Sequence, residues 1–250
     1  TMLSPSDTQI IENSKSRGWV LEPDAKQIMT GQGFDVPNFV LTDSIEVAKG
    51  FLKHSHGPVV AKAVSGKIIH KTEFNAVVTG ICDERVLEQE MTRLKALKGC
   101  EQILVEEMVQ GLEIIIGAKN DFQFGPVIVL GLGGTSVEIY NDTAIRMAPV
   151  KSGEVISMVN SLKARKLFKG YRKKPGVNMA LLTALVVKFS DLTMDLEKTF
   201  QSIDLNPVIC TKDRCVIADA RIMLQEGFSV TLSSGRVVQP SEVCDEPPPS

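Results

Sequence analysis

Aromatic residues are scarce in this chain. Phe, Tyr and Trp make up 5% of its 250 residues, with one Trp and two Tyr. Stacking platforms of the kind that grip single-stranded nucleic acid are therefore not expected. Net charge is slight, −2 at pH 7, so neither nucleic acid nor an anionic membrane surface is the expected partner. No apolar run approaches the roughly 18 residues that cross a bilayer. The opening Thr1-Met2-Leu3-Ser4 shows no charged and apolar leader pattern, so no secretory signal is expected. Cysteine is sparse and unpatterned. Cys82, Cys100, Cys210, Cys215 and Cys244 form no Cys-x-x-Cys pair and have no histidine at zinc spacing. An odd number of thiols without a leader implies a reducing, cytoplasmic setting, with cysteine used as a small apolar residue.

What is present suits a globular protein. Hydrophobic residues make up 43% of the chain and charged residues 23%. That is enough to bury a sizeable core, as one large domain or two small ones. The pattern predicts a first helix before Arg17-Gly18. A second opens at Glu22-Pro23-Asp24, where proline in the first turn and acids near the positive helix end favour initiation. Strands are expected at 37–41, 59–64, 103–108, 113–118 and 127–130. Asp43-Ser44-Ile45-Glu46 reads as a capping box for a helix reaching about Lys53. Asp83 caps another reaching about Lys98, with Val86, Met91, Leu94 and Leu97 as its apolar stripe. A hairpin is expected around Asn141-Asp142, and 163–174 reads as a basic loop. The longest helix runs from Asn178 to about Glu197, and two strands close the fold at 202–209 and 215–220. Strands and helices mix without strict alternation, which gives an α+β class rather than a doubly wound sheet.

One stretch organises the rest, Pro58 to Gly80. In the strand Val59–Val64, Val60, Lys62 and Val64 share one face. An ammonium among valines must meet an anion, either a protein carboxylate or a ligand phosphate. Eight residues on, His70 opens the polar run His70-Lys71-Thr72-Glu73. A pair of histidines, His54 and His56, lies beside Gly57-Pro58 and reads as solvated loop rather than a metal site.

The other chemistry-bearing stretches are spread along the chain. Thr211-Lys212-Asp213-Arg214 makes a natural hairpin loop. If Cys210 faces Cys215, then Asn206 faces Asp219 and Asp204 faces Arg221. A carboxylate beside an amide carbonyl is a partial shell for a hard cation such as Mg²⁺. The alternative is an ordinary polar cross-strand pair, or a register shifted by one through a bulge at Pro207. Glu106, Glu107 and Glu113 are acids in apolar strands, fit either for ribose and adenine donors or for keeping an edge soluble. Gly131-Leu132-Gly133-Gly134-Thr135-Ser136 brings backbone N–H groups within reach of an anion. It lacks the Gly-Lys-Ser/Thr of a Walker loop and precedes a strand rather than a helix, so it serves equally as a tight turn.

Six segments in order carry a resemblance. They are Pro58-Val59-Val60-Ala61-Lys62, His70-Lys71-Thr72-Glu73, Gly125-Pro126-Val127 with Gly131-Leu132-Gly133-Gly134, Arg146-Met147-Ala148-Pro149, Asp204-Leu205-Asn206-Pro207 and Ala218-Asp219-Ala220-Arg221. Over residues 18–226 the chain resembles the ATP-grasp β subunit, or β domain, of the NDP-forming acyl-CoA synthetases, relatives of succinyl-CoA synthetase.

The resemblance implies an ATP-grasp fold, two α+β subdomains with the nucleotide between them. Its divisions would be an N-terminal segment (1–35), a small subdomain or lid (36–108), a large subdomain with the metal (109–226), and a tail or linker (227–250). It implies an acid–thiol ligase acting by acyl-CoA + ADP + phosphate ⇌ acid + CoA + ATP. Lys62 would meet the nucleotide phosphates. Glu106 or Glu107, with the neighbouring backbone at Met108, would meet adenine, and Glu113 the ribose. Asn206 and Asp219 would hold Mg²⁺. His70 would carry the phosphoryl group between a histidine of the CoA-binding α subunit, or fused α domain, and ADP. The chain would then work in a hetero-oligomer or as part of a larger fused chain. It departs from the family where Asp and a glycine pair usually follow His-Lys-Thr: here Glu73 is followed by Phe74-Asn75-Ala76. Two other readings are a nucleotide-sensing ATP-grasp domain of a fused regulatory protein, such as a protein acyltransferase, and a carboxylate–amine ligase.

Overall fold

The computed structural model describes residues 3–66, 75–133, 142–171 and 174–225, with backbone only at 171 and 174. The helices are α1 (Pro5–Ser14), α2 (Glu22–Gly31), α3 (Ile45–His54), α4 (Glu84–Lys95), α5 (Ser152–Ser161), α6 (Arg165–Phe168) and α7 (Met179–Asp195). The strands are β1 (Trp19–Val20), β2 (Phe39–Thr42), β3 (Val59–Val64), β4 (Val77–Ile81), β5 (Gln102–Glu107), β6 (Leu112–Asp121), β7 (Gly125–Leu132), β8 (Thr143–Met147), β9 (Gly170–Tyr171), β10 (Lys174–Pro175), β11 (Phe200–Cys210), β12 (Cys215–Ile217) and β13 (Ala220–Leu224).

These strands form a large sheet in the order β1-β13-β11-β6-β7-β8, with β12 also on β11, and a small sheet in the order β2-β5-β3-β4. A short β9–β10 ladder stands apart. The mixture of segregated helices and largely antiparallel strands is the expected α+β class. Each sheet has its own core. In the small sheet Val59, Ala61, Ala63, Ile103 and Val105 pack against Ala48 and Leu52 of α3 and Leu87, Met91 and Leu94 of α4. In the large sheet Ile114, Ile116, Ala118, Ile128 and Leu130 pack against Leu182, Leu185, Val186, Phe189 and Leu192 of α7. Each such side chain contributes about 1.5–3 kcal/mol by leaving water. The same core takes in Ile11 of α1 and Ala25, Ile28 and Met29 of α2, and β1 pairs with β13. The N-terminal segment therefore belongs to the large sheet.

Local signals set most of the boundaries. Ser44 caps α3 by accepting from the Val47 N–H, Asp83 caps α4 by accepting from Arg85 and Val86, and Asn178 caps α7 by accepting from Ala180 and Leu181. The stripe expected on α4 is corrected by one position. Leu87 is buried while Val86 is exposed, because a turn of 3.6 residues from Met91 falls on 87. The helix also ends at Lys95 rather than Lys98. The basic stretch 163–174 is not all loop, for it holds α6 and the first strand of the small ladder. Of the hairpin expected around Asn141-Asp142, residues 137–141 lie outside the described residues. Its second half is β8, which pairs with β7.

Candidate functional site

β5 and β6 follow one another in sequence, yet they belong to different sheets. Residues 108–111 are therefore the hinge that carries the chain from one sheet to the other. The Met108 N–H donates to the Pro58 carbonyl at 3.0 Å and the Glu107 N–H to that of Asn38 at 2.9 Å, which ties the hinge to the small sheet. On the other side Gly111 lies so close to β11 that an added Cβ would meet the Cys210 carbonyl oxygen at 2.6 Å.

Alternation along β3 and β5 decides what faces the large sheet. Val59, Ala61 and Ala63 turn to the helices, so Lys62 turns the other way. Lys62 pairs in register with Leu104, and Val60 with Glu106. Lys62 and Glu106 are thus diagonal neighbours on one face. Their side chains meet at 2.8 Å. Both are buried, at 5% and 2% exposure.

The anion that meets Lys62 in this structure is carboxylate. Lys62 Nζ lies 2.7 Å from Glu22 Oε1. Lys26 lies 2.9 Å from the same oxygen and donates to the other oxygen of Glu106. Two lysines and two glutamates close a buried ring, each lysine touching both acids. Desolvation of such charges costs several kcal/mol each, offset only because every member is paired. Burial is the largest influence on the Lys62 ammonium and pulls its pKa down. The carboxylates of Glu22, Glu106 and Asp219 together outweigh it and hold the group above the usual lysine range. Lys62 is therefore charged throughout the neutral range. Sequence reasoning missed Glu22 and Lys26, whose spacing of four reads as an ordinary surface pair on a helix.

Lys62 also crosses to the large sheet. Its Nζ donates to the carbonyl of Ala218 at 2.8 Å, one residue before Asp219. The hairpin register is the one obtained by counting: Cys210 faces Cys215, Leu205 faces Ala220 and Asp204 faces Arg221. Between these pairs the Asn206 N–H donates to the Asp219 carbonyl at 3.2 Å. The irregularity expected at Pro207 falls on the opposite side of the strand, between β11 and β6, where the register shifts between Leu205 and Val208. Asn206 is exposed and Asp219 half-buried. Among the described residues no group of three or more His, Cys, Asp or Glu side chains is arranged to hold a metal ion. The donor set at Asn206 and Asp219, one amide and one carboxylate, fits a hard cation that completes its shell with water and phosphate.

Glu106 and Glu107 separate by the same alternation. Glu106 points into the ring. Glu107 accepts from Asn38 at 3.1 Å and meets Arg214 at 3.4 Å. Arg214, at the tip of the β11–β12 hairpin, is bidentate on Asp35 at 2.9 and 3.0 Å. Glu107, Met108 and Arg214 border a cavity of about 560 Å³ at the hinge, with Phe51, Pro58 and Gln110. Glu113 is exposed near the start of β6, and its carbonyl accepts from the Gly133 N–H at 2.7 Å. Gly131 and Gly133 are packing residues: a Cβ at either would come within 3 Å of neighbouring backbone, at Asp142 and Glu113 respectively. The remainder of that glycine-rich run lies outside the described residues, and so does His70. His54 and His56 are exposed, and His54 Nδ1 is 2.7 Å from the Gly50 carbonyl.

Two sheets joined by a hinge, with a buried lysine of the small sheet reaching an Asn–Asp hairpin of the large one, define a nucleotide-grasping architecture. A model of the ATP-grasp domain family matches residues 12–224, and the chain belongs to that family. Within it the chain is a relative of the ADP-forming acetate–CoA ligases. It is 33% identical to the acetate–CoA ligase [ADP-forming] I subunit beta of Pyrococcus furiosus, over 86% of this chain and 97% of that protein. It is 29% identical to the acetate–CoA ligase [ADP-forming] I of Archaeoglobus fulgidus over 87% of this chain, but spans only 33% of that longer protein. Among solved structures it resembles the dinucleotide forming acetyl-coenzyme A synthetase 1 of Ca. Korarchaeum cryptofilum, determined with coenzyme A and Mg-AMPPCP and with a phosphohistidine segment pointing towards the nucleotide binding site. There the TM-score is 0.74 at 29% identity, covering 88% of this chain and all of that one.

Proposed function

We propose that this chain is the nucleotide-binding, phosphoryl-transferring half of an ADP-forming acyl-CoA synthetase, catalysing acyl-CoA + ADP + phosphate ⇌ acid + CoA + ATP together with a CoA-binding α half. The observation that carries the proposal is the convergence of Lys62 with the Ala218–Asp219 corner across the cleft. A lysine from one sheet and hard oxygen donors from the other then face the same phosphates. The similarity to a free beta subunit and to a much longer single-chain ligase supports a partner that is either a separate subunit or a fused domain.

In this reading Lys62 neutralises the nucleotide phosphates. Glu106 or Glu107 and the hinge at Met108 orient the adenine, and Glu113 the ribose. Asn206 and Asp219 would hold Mg²⁺, which when bound would spread the charge that develops on the transferred group. One ring nitrogen of His70 attacks phosphorus on the α-half phosphohistidine, whose N–P bond breaks as the new one forms. The phosphoryl group then passes to a terminal oxygen of ADP, and His70 is regenerated. A cytoplasmic location accompanies the proposal, supported by the free thiols of Cys82, Cys100, Cys210 and Cys215. No described helix is long and apolar enough to cross a membrane. The relatives reported above are ligases, which gives no support to the sensor reading.

The test is phosphorylation of the chain, with its α partner present, by γ-labelled ATP and Mg²⁺. Acid-labile, base-stable label that disappears in His70→Ala is the expected outcome. Tight ATP binding without any label would reject the relay.

A further inference from the structure

We propose that Arg214 is a positioning residue of the nucleotide site: it clasps the hinge and holds the two sheets at the angle at which Lys62 meets the Ala218–Asp219 corner. This rests on the reading of that cleft as the nucleotide site.

The chain passes between the sheets twice, from α2 to β2 and from β5 to β6. Hydrogen bonds narrow both crossings. On the first, the Gly33 carbonyl accepts from Lys188 of α7 at 2.8 Å and the Asp35 carbonyl from the Ile217 N–H of β12 at 2.8 Å. The chain up to Asp35 therefore belongs to the large sheet. The Asn38 carbonyl accepts from the Glu107 N–H at 2.9 Å, so from Asn38 onward it belongs to the small one. Val36 and Pro37 lie between, and the proline ring fixes one of their torsions. On the second crossing Met108 is tied to Pro58 and Gly111 is packed on Cys210, which leaves Val109 and Gln110.

Arg214 spans this line. Its backbone is fixed on the large-sheet side. Thr211 Oγ1 accepts from the N–H groups of Asp213 and Arg214 at 3.1 and 2.9 Å. Asn178, the cap of α7, donates from its N–H to the Thr211 carbonyl at 2.9 Å and from its side chain to the Lys212 carbonyl at 3.2 Å. From this platform the guanidinium forks onto Asp35 at 2.9 and 3.0 Å. Its two terminal nitrogens reach one oxygen of Glu107 at 3.4 Å, and Asn38 donates to the other at 3.1 Å.

The two legs differ. The Asp35 leg is short and two-pronged and stays within one body. The Glu107 leg is longer and crosses the hinge, so it is the one that a change of angle makes or breaks. In the conformation where it is made, Lys62 also reaches the Ala218 carbonyl. The clasp thus raises the share of the chain that is ready for nucleotide, and the apparent dissociation constant falls in proportion. Arg214 and Asp35 are exposed. An isolated exposed pair contributes little, but a bidentate arginine within a network is the exception.

The experiment is calorimetric titration of ADP with Mg²⁺ into the full chain, as wild type, Arg214→Gln, Glu107→Gln and the double variant, with a melting curve for each. It is run at about 0.1 M and about 1 M salt, where the screening length falls from about 10 Å to about 3 Å. At the lower salt each single substitution is expected to weaken ADP binding about threefold, and the double variant no more than either. At the higher salt these differences should fade. Losses that add, or that persist at high salt, would mean separate contacts rather than one clasp. Unchanged binding in Arg214→Gln would mean that the clasp sets no angle. Either result overturns the inference. If Arg214→Gln does not fold, Glu107→Gln decides. A loss that fades in salt supports the clasp; no loss, or a loss that persists as a direct contact with adenine would, rejects it. A wild-type chain with no affinity for ADP would reject the nucleotide reading of the cleft itself.

Discussion

Asn206 and Asp219 stand opposite one another across the β11–β13 hairpin, joined through the backbone by an N–H···O bond of 3.2 Å. Because the main chain fixes the pair, their side chains can be changed without moving the strands. Asp219→Asn and Asn206→Ala are therefore expected to keep the strand pairing while lowering phosphoryl transfer about 100-fold or more, a typical loss for one charge-stabilising group. A Mg²⁺ titration checks this. The activity lost should be partly recovered at raised metal concentration if the side chains act as ligands, and not at all if they act elsewhere.

Removing Lys62 acts on stability as well as on binding. Lys62→Met takes from Glu22 and Glu106 an ammonium that meets both of them. A loss of about 3–5 kcal/mol is expected, as for other buried pairs deprived of one partner. Urea unfolding measures it. A loss below about 1 kcal/mol, the range of exposed pairs, would show that the ring is solvated.

The hinge has little room. At Gly111 a Cβ would lie 2.6 Å from the Cys210 carbonyl oxygen and 2.9 Å from the Ile209 side chain. Gly111→Ala is expected to destabilise the chain by about 1–3 kcal/mol through overpacking and to raise the Michaelis constant for nucleotide. Unchanged stability and kinetics would mean that β6 and β11 separate freely at this point.

Asp24 offers a pH test. Burial raises its pKa above the ordinary aspartate value and Arg17 only partly opposes this. The folded state therefore holds the Asp24 proton more tightly than the unfolded state does. Its contribution to stability is favourable at low pH and is lost as pH rises through the folded-state pKa, which lies above 3.8. Asp24→Asn is expected to raise the melting temperature slightly at pH 7, with the gain vanishing below about pH 4. A gain that persists at pH 3 would point to packing rather than charge.

The thiols should react in a set order. Cys82 is exposed. The hydrogen bond to Cys215, reinforced by burial, raises the pKa of Cys210. Under native conditions iodoacetamide should modify Cys82 first and Cys210 last, read by peptide mass spectrometry. Early loss of Cys210 would show that the hairpin end frays.

The parts legible from sequence are those governed by short-range periodicity. A period of two put Val60, Lys62 and Val64 on one face of the strand 59–64, while Glu106 and Glu107 were left as alternatives that the structure sends to opposite faces. A four-residue loop with matching cysteines gave the register that sets Asn206 against Asp219. The caps at Ser44, Asp83 and Asn178 were readable for the same local reason. What escaped was decided by distant packing. Glu22 and Lys26 have the spacing of a solvated helix pair, and only the approach of the small sheet makes them a buried pair. The division after residue 108, between the strand of Glu106 and Glu107 and that of Glu113, came from the resemblance alone. Nothing local says that each finds its partners in a different sheet.

The pairing of β1 with β13, Trp19 against Met223, joins points about 200 residues apart, a contact of high order that a chain closes late and slowly. A ribosome must release nearly the whole domain before the large sheet can reach its full strand order. Until then β11 lacks the strand that brings Asp219 opposite Asn206, and its unpaired edge is open to other chains. Truncation just before Ala220 would therefore do more than shorten the protein. It would leave Trp19 and Val20 without their partner strand, and a half-built sheet prone to aggregation during synthesis.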